Sequence, residues 1–150
     1  MNGPQADGYW EDMETELKTL TGKESWIVVE RKNGMNVLPS TWAFKCKRYP
    51  DGSVRKLKTR FCVRGDRQKE GVDFFETYLP VVSWHTVRML LILSMKLKLC
   101  TKQVDYTAAF VQAPITEEVY VEQPKGFTLK ENQVRKLLRC LYGLKQAPRK

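Results

Sequence analysis

Thr41-Trp42-Ala43-Phe44-Lys45-Cys46-Lys47-Arg48-Tyr49, then Pro50-Asp51-Gly52, then Ser53-Val54-Arg55-Lys56-Leu57-Lys58-Thr59-Arg60-Phe61-Cys62-Val63-Arg64-Gly65 carries the clearest local pattern in the 150-residue chain. Two extended runs joined by Pro-Asp-Gly predict a β-hairpin: proline presets one turn dihedral, and glycine supplies the positive φ that closes the turn. Strand side chains alternate between faces. The second run therefore puts Leu57, Thr59, Phe61 and Val63 on one face and Lys56, Lys58, Arg60 and Arg64 on the other. Like charges on one strand face repel, and an anion along that face would relieve the repulsion. The alternative is an ordinary solvated sheet face, the commoner fate of Lys and Arg. The residues by themselves leave both readings open.

Working outward, Trp10, Met13, Leu17 and Leu20 recur at helical spacing after a small, polar start, Met1 to Gly8, expected to fray. Glu11, Asp12 and Glu14 suit the positive end of that helix, and Thr21-Gly22 is expected to end it. Trp26 to Val29 reads as a short strand and Asn33-Gly34 as a turn. Asp66 to Tyr78 reads as a polar loop. Ser83 is the expected N-cap of a helix Trp84 to Leu97. That helix is apolar nearly all round, which predicts burial on two sides. His85 in its first turn has no acid or nucleophile near it in sequence and reads as surface or packing. Beyond it, Glu117 to Gln123 alternates as a strand, Pro124-Lys125-Gly126 breaks it, and Val134 to Leu138 returns as another. The expected class is α+β, with helices packed against antiparallel sheet.

A single carboxylate, Asp105, follows the extended run Thr101 to Val104, with no other acid within ten residues on either side. An acid at the end of a strand is a rigid oxygen ligand of the kind hard divalent cations need. It is also a good cap for the small-residue turn that follows, the commoner role of an acid beside a turn.

Composition narrows the classes. There are 26 basic and 17 acidic residues, a net charge of +9, which favours a polyanionic partner. The longest apolar stretch, Met89 to Leu93, is too short to span a bilayer, and no export leader opens the chain. The four cysteines have no C-x-x-C spacing and there is one histidine, so zinc lacks a ligand set. The expectation is reduced, mostly packing cysteines in an intracellular protein, cytoplasmic or nuclear.

Several separated stretches together resemble the reverse transcriptase of copia-type retrotransposons. They include Trp10 with Met13, Glu16 and Leu17, then Trp26, Trp42-Ala43-Phe44-Lys45, Lys58-Thr59-Arg60 and Arg64-Gly65. They continue through Gly71-Val72-Asp73, Glu76-Thr77-Tyr78-Leu79-Pro80-Val81, Val104-Asp105 with Ala109-Phe110, and Glu118 to Pro124. They end in Leu141-Tyr142-Gly143-Leu144-Lys145-Gln146-Ala147-Pro148-Arg149. The ordered set covers nearly the whole chain. The resemblance implies the fingers and partial palm of a reverse-transcriptase fold, truncated. Residues 1–150 would form its N-terminal part, with roughly 1–100 as fingers and early palm and 101–150 as partial palm.

By the same resemblance Asp105 is the first of three metal-binding aspartates. Two magnesium ions about 3.5–4 Å apart would act on the primer hydroxyl and the departing pyrophosphate. The Tyr106 carbonyl would be a further metal ligand, and Lys58 and Arg60, with Arg64 less central, would meet the phosphates of the incoming nucleotide. Phe110 stands where the family carries its sugar gate, although a lone phenylalanine is ordinarily a core residue. Tyr142 and Gly143 would pack beside the templating base or incoming nucleotide. The implied partners are an RNA or DNA template–primer and deoxynucleoside triphosphates. The departures are specific. Ala113-Pro114 replaces a loop usually richer in glycine and acid, and the paired aspartates of Tyr-x-Asp-Asp have no counterpart in the 150 residues. The expectation is a polymerase fragment inactive by itself. The alternative is a non-catalytic nucleic-acid-binding remnant of such an element.

Overall fold

The computed structural model describes residues 5–77, 82–104, 109–127 and 132–147. The fold is α+β. The hairpin forms as its pattern predicts, from β3 (Ser40–Arg48) and β4 (Val54–Val63), paired antiparallel. Its turn closes through Gly52 N–H to the Tyr49 carbonyl at 3.0 Å, with Gly52 at φ +86°. Asp51 accepts from the Ser53 amide at 2.8 Å, an Asx turn that holds the link. A second sheet has the order β1 (Trp26–Glu30), β6 (Gln133–Leu137), β5 (Tyr120–Val121), β2 (Val37–Leu38). Its β1–β6 and β5–β6 pairs are antiparallel and β2–β5 is parallel.

The two sheets enclose one core. Leu38, Phe61, Val63, Val119, Val121 and Leu137 are buried in it, together with Leu141 and Leu144 from the turn after β6. Phe61 is its aromatic centre, edge-on to Trp26 at 5.9 Å and tilted against Trp42 at 5.4 Å.

Helix α1 (Ala6–Gly22) starts earlier than expected, taking in residues read as a frayed start, and buries Met13 and Leu20. It packs along β4 through polar as well as apolar groups. In β4 the amides of Thr59, Phe61 and Val63 point away from β3. Asp12 accepts from the Thr59 amide and from Thr59 Oγ1 at 2.8 Å, the Glu16 carboxylate faces the Phe61 amide, and Val63 N–H donates to the Tyr142 carbonyl at 2.8 Å. Four helical residues rise about 6 Å and two strand residues about 6.6–6.8 Å. Carboxylates at i and i+4 on a helix therefore match alternate amides of a strand. This match covers the open edge of β4 at Thr59 and Phe61, as sheet edges in stable proteins generally are covered.

Helix α2 (Trp84–Lys96) begins as read, with Ser83 accepting from the Thr86 amide at 3.2 Å. Its expected burial is overturned. None of its residues is buried; Trp84 is 73% and Met95 81% exposed. A sequence apolar on every side calls for cover on every side, but burial needs an opposing surface, and among the described residues none covers α2 enough to bury any of its residues. Thr101 to Val104, read as a strand leading to Asp105, is exposed and outside any strand. The stretch Asp66 to Tyr78 is more than a polar loop, since Gln68, Asp73 and Phe74 within it are buried. Of the free cysteines, Cys140 is buried, Cys46 and Cys62 are half-buried and Cys100 is exposed, so packing accounts for fewer than expected. No helix among the described residues is long and apolar enough to cross a membrane.

Candidate nucleotide and nucleic-acid interface

The outer hairpin face gathers more cations than one strand suggested. In an antiparallel pair, residues directly opposite share a face. The register sets Lys45 opposite Lys58, Lys47 opposite Lys56, and Ala43 opposite Arg60. Five cations thus occupy three alternate rungs. Lys45 and Lys47 were missed in the sequence because alternation was followed along the second strand alone; the same count along the first would have found them. Among the described residues none of the five has a carboxylate within ion-pair distance. A groove of about 240 Å³ lies against this face, lined by Ala43, Phe44, Lys45, Lys58 and Arg60.

Arg64 departs from the reading. It follows β4 and holds Asp66 through two hydrogen bonds of 2.8 and 2.7 Å. This bidentate pairing draws the Asp66 carboxyl below its usual range, the hydrogen bond from Arg64 being the main cause. Arg64 is thus separated in chemistry from the unpaired cations, and Cys62 separates it in position.

Arg60 and Tyr142 come together. The guanidinium lies over the Tyr142 ring, 4.9 Å from its centroid. Cys62 forms a parallel bridge with Tyr142, and Glu16 approaches from α1. Burial pushes up the pKa of Glu16, of Cys62 and of the Tyr142 phenol, and in all three Arg60 opposes the rise. Gly143 has the reason its backbone demands. At φ +90°, a Cβ there would stand 2.2 Å from the Val63 carbonyl oxygen. A Cβ on Gly65 would stand 1.9 Å from the Gly143 carbonyl oxygen. The two glycines let the end of β4 and the 142–143 turn approach backbone to backbone.

Asp105 and Tyr106 lie outside the described residues. Phe110 falls in the 3-10 turn Ala109–Gln112. Among the described residues no group of three or more His, Cys, Asp or Glu side chains could hold a metal ion.

The family model for reverse transcriptase (RNA-dependent DNA polymerase) matches residues 23–150, and the chain belongs to that family. It is 37% identical to the retrovirus-related Pol polyprotein from transposon TNT 1-94 of Nicotiana tabacum, across 99% of this chain and 11% of that protein. It is 35% identical to the Pol polyprotein from transposon RE1 of Arabidopsis thaliana, across 95% of this chain and 10% of the relative. An uncharacterised mitochondrial protein of Arabidopsis thaliana is 37% identical across 61% of this chain and 54% of its own length. The chain is similar to the reverse-transcriptase region of copia-type Pol polyproteins and spans about a tenth of the length of those it matches. No solved structure gives a significant match.

Proposed function

We propose that this chain supplies the fingers and the start of the palm to a copia-type RNA-directed DNA polymerase, where the outer hairpin face receives phosphates. The observation that carries the reading is the stacking of Arg60 on Tyr142. It joins the cationic face to the turn expected beside the incoming nucleotide. Phosphoryl transfer depends mainly on positioning and charge neutralisation. Lys58 and Arg60 would neutralise the triphosphate of a deoxynucleotide, and Tyr142 with Gly143 would pack against its base or the templating base. The family generally uses divalent metal ions. Asp105, with the Tyr106 carbonyl, would be this chain's share of the magnesium ligands. Phe110 would stand under the sugar, where a ribose 2′-OH collides with the ring and a deoxyribose does not. The template–primer, RNA or DNA, would run along the remaining cations.

No adjacent aspartates occur in the 150 residues, so the chain by itself is expected not to extend a primer. A primer-extension assay with magnesium and four deoxynucleotides checks this, and template-dependent extension would refute it. The five cations, none with an ion pair among the described residues, also support the second reading, a nucleic-acid-binding remnant. Both readings expect weak, sequence-independent binding that falls as salt rises, because counterions are released. Replacing Lys56, Lys58 and Arg60 with Gln should remove most of it; undiminished binding at low salt would exclude the face. In a polymerase containing the downstream sequence, Phe110→Val should raise ribonucleotide incorporation relative to deoxynucleotide. An unchanged ratio with a lowered melting temperature would make Phe110 a core residue.

A further inference from the structure

The turn that carries Tyr142 is held from below by side chains that neither the fold pattern nor the substrate reading uses. Gln68 and Gln146 are buried. Gln68 Oε1 accepts from the Lys145 amide at 2.8 Å, and Gln68 Nε2 donates to Gln146 Oε1 at 2.9 Å. Gln146 Nε2 donates to the Asp73 carbonyl at 2.9 Å. The Asp73 carboxylate in turn accepts from Asn36 Nδ2 at 2.9 and 2.7 Å and from the Lys69 amide at 2.7 Å. Each amide oxygen and nitrogen of the glutamine pair has a partner, and a satisfied buried network specifies one arrangement over others.

Above this network, the backbone of the turn has no slack. Val63 N–H holds the Tyr142 carbonyl at 2.8 Å, and Gly65 abuts the Gly143 carbonyl. The turn is therefore pinned on one side by the end of β4 and on the other by Gln68. The first pin is on Tyr142 itself, whose ring lies under Arg60, and the second is three residues on.

We propose that Gln68 is a positioning residue for the Arg60–Tyr142 pair, fixing through the Lys145 amide and Gln146 where the Tyr142 ring meets the cationic face. Gln68 touches no substrate in this arrangement; it acts through the turn. The inference rests on the phosphate-binding reading above for its functional consequence, but its geometric part does not.

The test has two readouts. In the 150-residue chain, the Arg60 side-chain protons should carry an upfield NMR shift from the Tyr142 ring, identified by its loss in Tyr142→Leu. Gln68→Met removes the amide at similar length, and Gln68→Glu keeps the acceptor for Lys145 while setting an oxygen against Gln146 Oε1. Both should move the Arg60 resonances toward their Tyr142→Leu positions. Val119→Ala, in the shared core but outside the network, should lower the melting temperature and leave those resonances in place. An Arg60 signature unchanged in both Gln68 variants overturns the inference, whatever the chain does.

In the polymerase with its downstream sequence, Gln68→Met should raise the deoxynucleotide KM several-fold with a smaller change in kcat. The double variant with Tyr142→Leu should be no worse than Tyr142→Leu alone, because residues acting as one unit are not additive. A shifted NMR signature with KM unchanged in Gln68→Met and Tyr142→Leu would overturn the substrate role of the pair. That failure is distinguishable because the geometry would already have moved.

Discussion

Helices α1 and α2 are of similar length and meet opposite fates. α1 is only moderately apolar, yet it is anchored, because two of its carboxylates match the amides of an open strand edge while Met13 and Leu20 enter the core. α2 is far richer in Leu, Ile and Met and buries nothing among the described residues. Apolar content measures how much cover a helix needs; geometry opposite it decides whether the cover is there.

The sharpest way to break this contrast is to truncate one residue in each region. Phe61→Ala empties the centre of the core that α1 helps close and should cost about 3–5 kcal/mol, read from urea or thermal unfolding. Leu91→Ala in α2 should cost less than about 0.5 kcal/mol, as exposed substitutions do. A comparable loss at Leu91 would mean that α2 has a partner in this chain.

Next in size is the edge match. Asp12→Ala strips the Thr59 amide and hydroxyl of their acceptor and should cost about 1–3 kcal/mol. Asp12→Asn keeps an acceptor oxygen and should cost less. If the two cost the same in a denaturant titration, the carboxylate acts by charge and not by the hydrogen bonds.

Hydrogen exchange sharpens the comparison helix against helix. A solitary helix of α2's length is marginal in water, so its amides should open at about 0–1 kcal/mol while those around Met13 approach global protection. Equal protection of both helices would refute the difference.

The smallest effect is a pH slope. Burial raises the Glu16 pKa above its unfolded value of 4.5, so the folded chain holds that proton more tightly. The stability this contributes is full below 4.5 and is lost as pH rises through the raised folded value. Glu16→Gln should flatten the decline in that window, and an unaltered slope would assign it to other groups.

These regions also show what a sequence exposes. The hairpin was legible because its signal is local: Pro50-Asp51-Gly52 sets the turn and alternation sets the faces. Ser83 was legible as a cap for the same reason. The pairing of β1 with β6 was not, because Trp26 meets Leu137 and no local pattern records so distant a partner. Nor was the glutamine network. Gln68 and Gln146 lie 78 residues apart in the chain and come within 2.9 Å only in the fold. The α2 reading failed for a related reason: periodicity reports which faces are apolar and says nothing of what lies opposite. At the candidate site, the cations on β4 were visible one strand at a time. The stacking of Arg60 on Tyr142 depends on two glycines whose role appears only when their backbones touch.

The order of the chain gives the edge match of α1 a further meaning during synthesis. Proteins are made from the N-terminus, and unpaired strand edges exposed on the way are where nascent chains associate. Asp12 and Glu16 are made before the strand they cover. When β4 emerges and pairs with β3, the acceptors for Thr59 and Phe61 are already waiting upstream. Of these three amides, that of Val63 must wait for Tyr142. Two of the three are therefore covered from upstream as soon as the strand pairs, and the time they could be presented bare to a neighbouring ribosome's product shrinks accordingly.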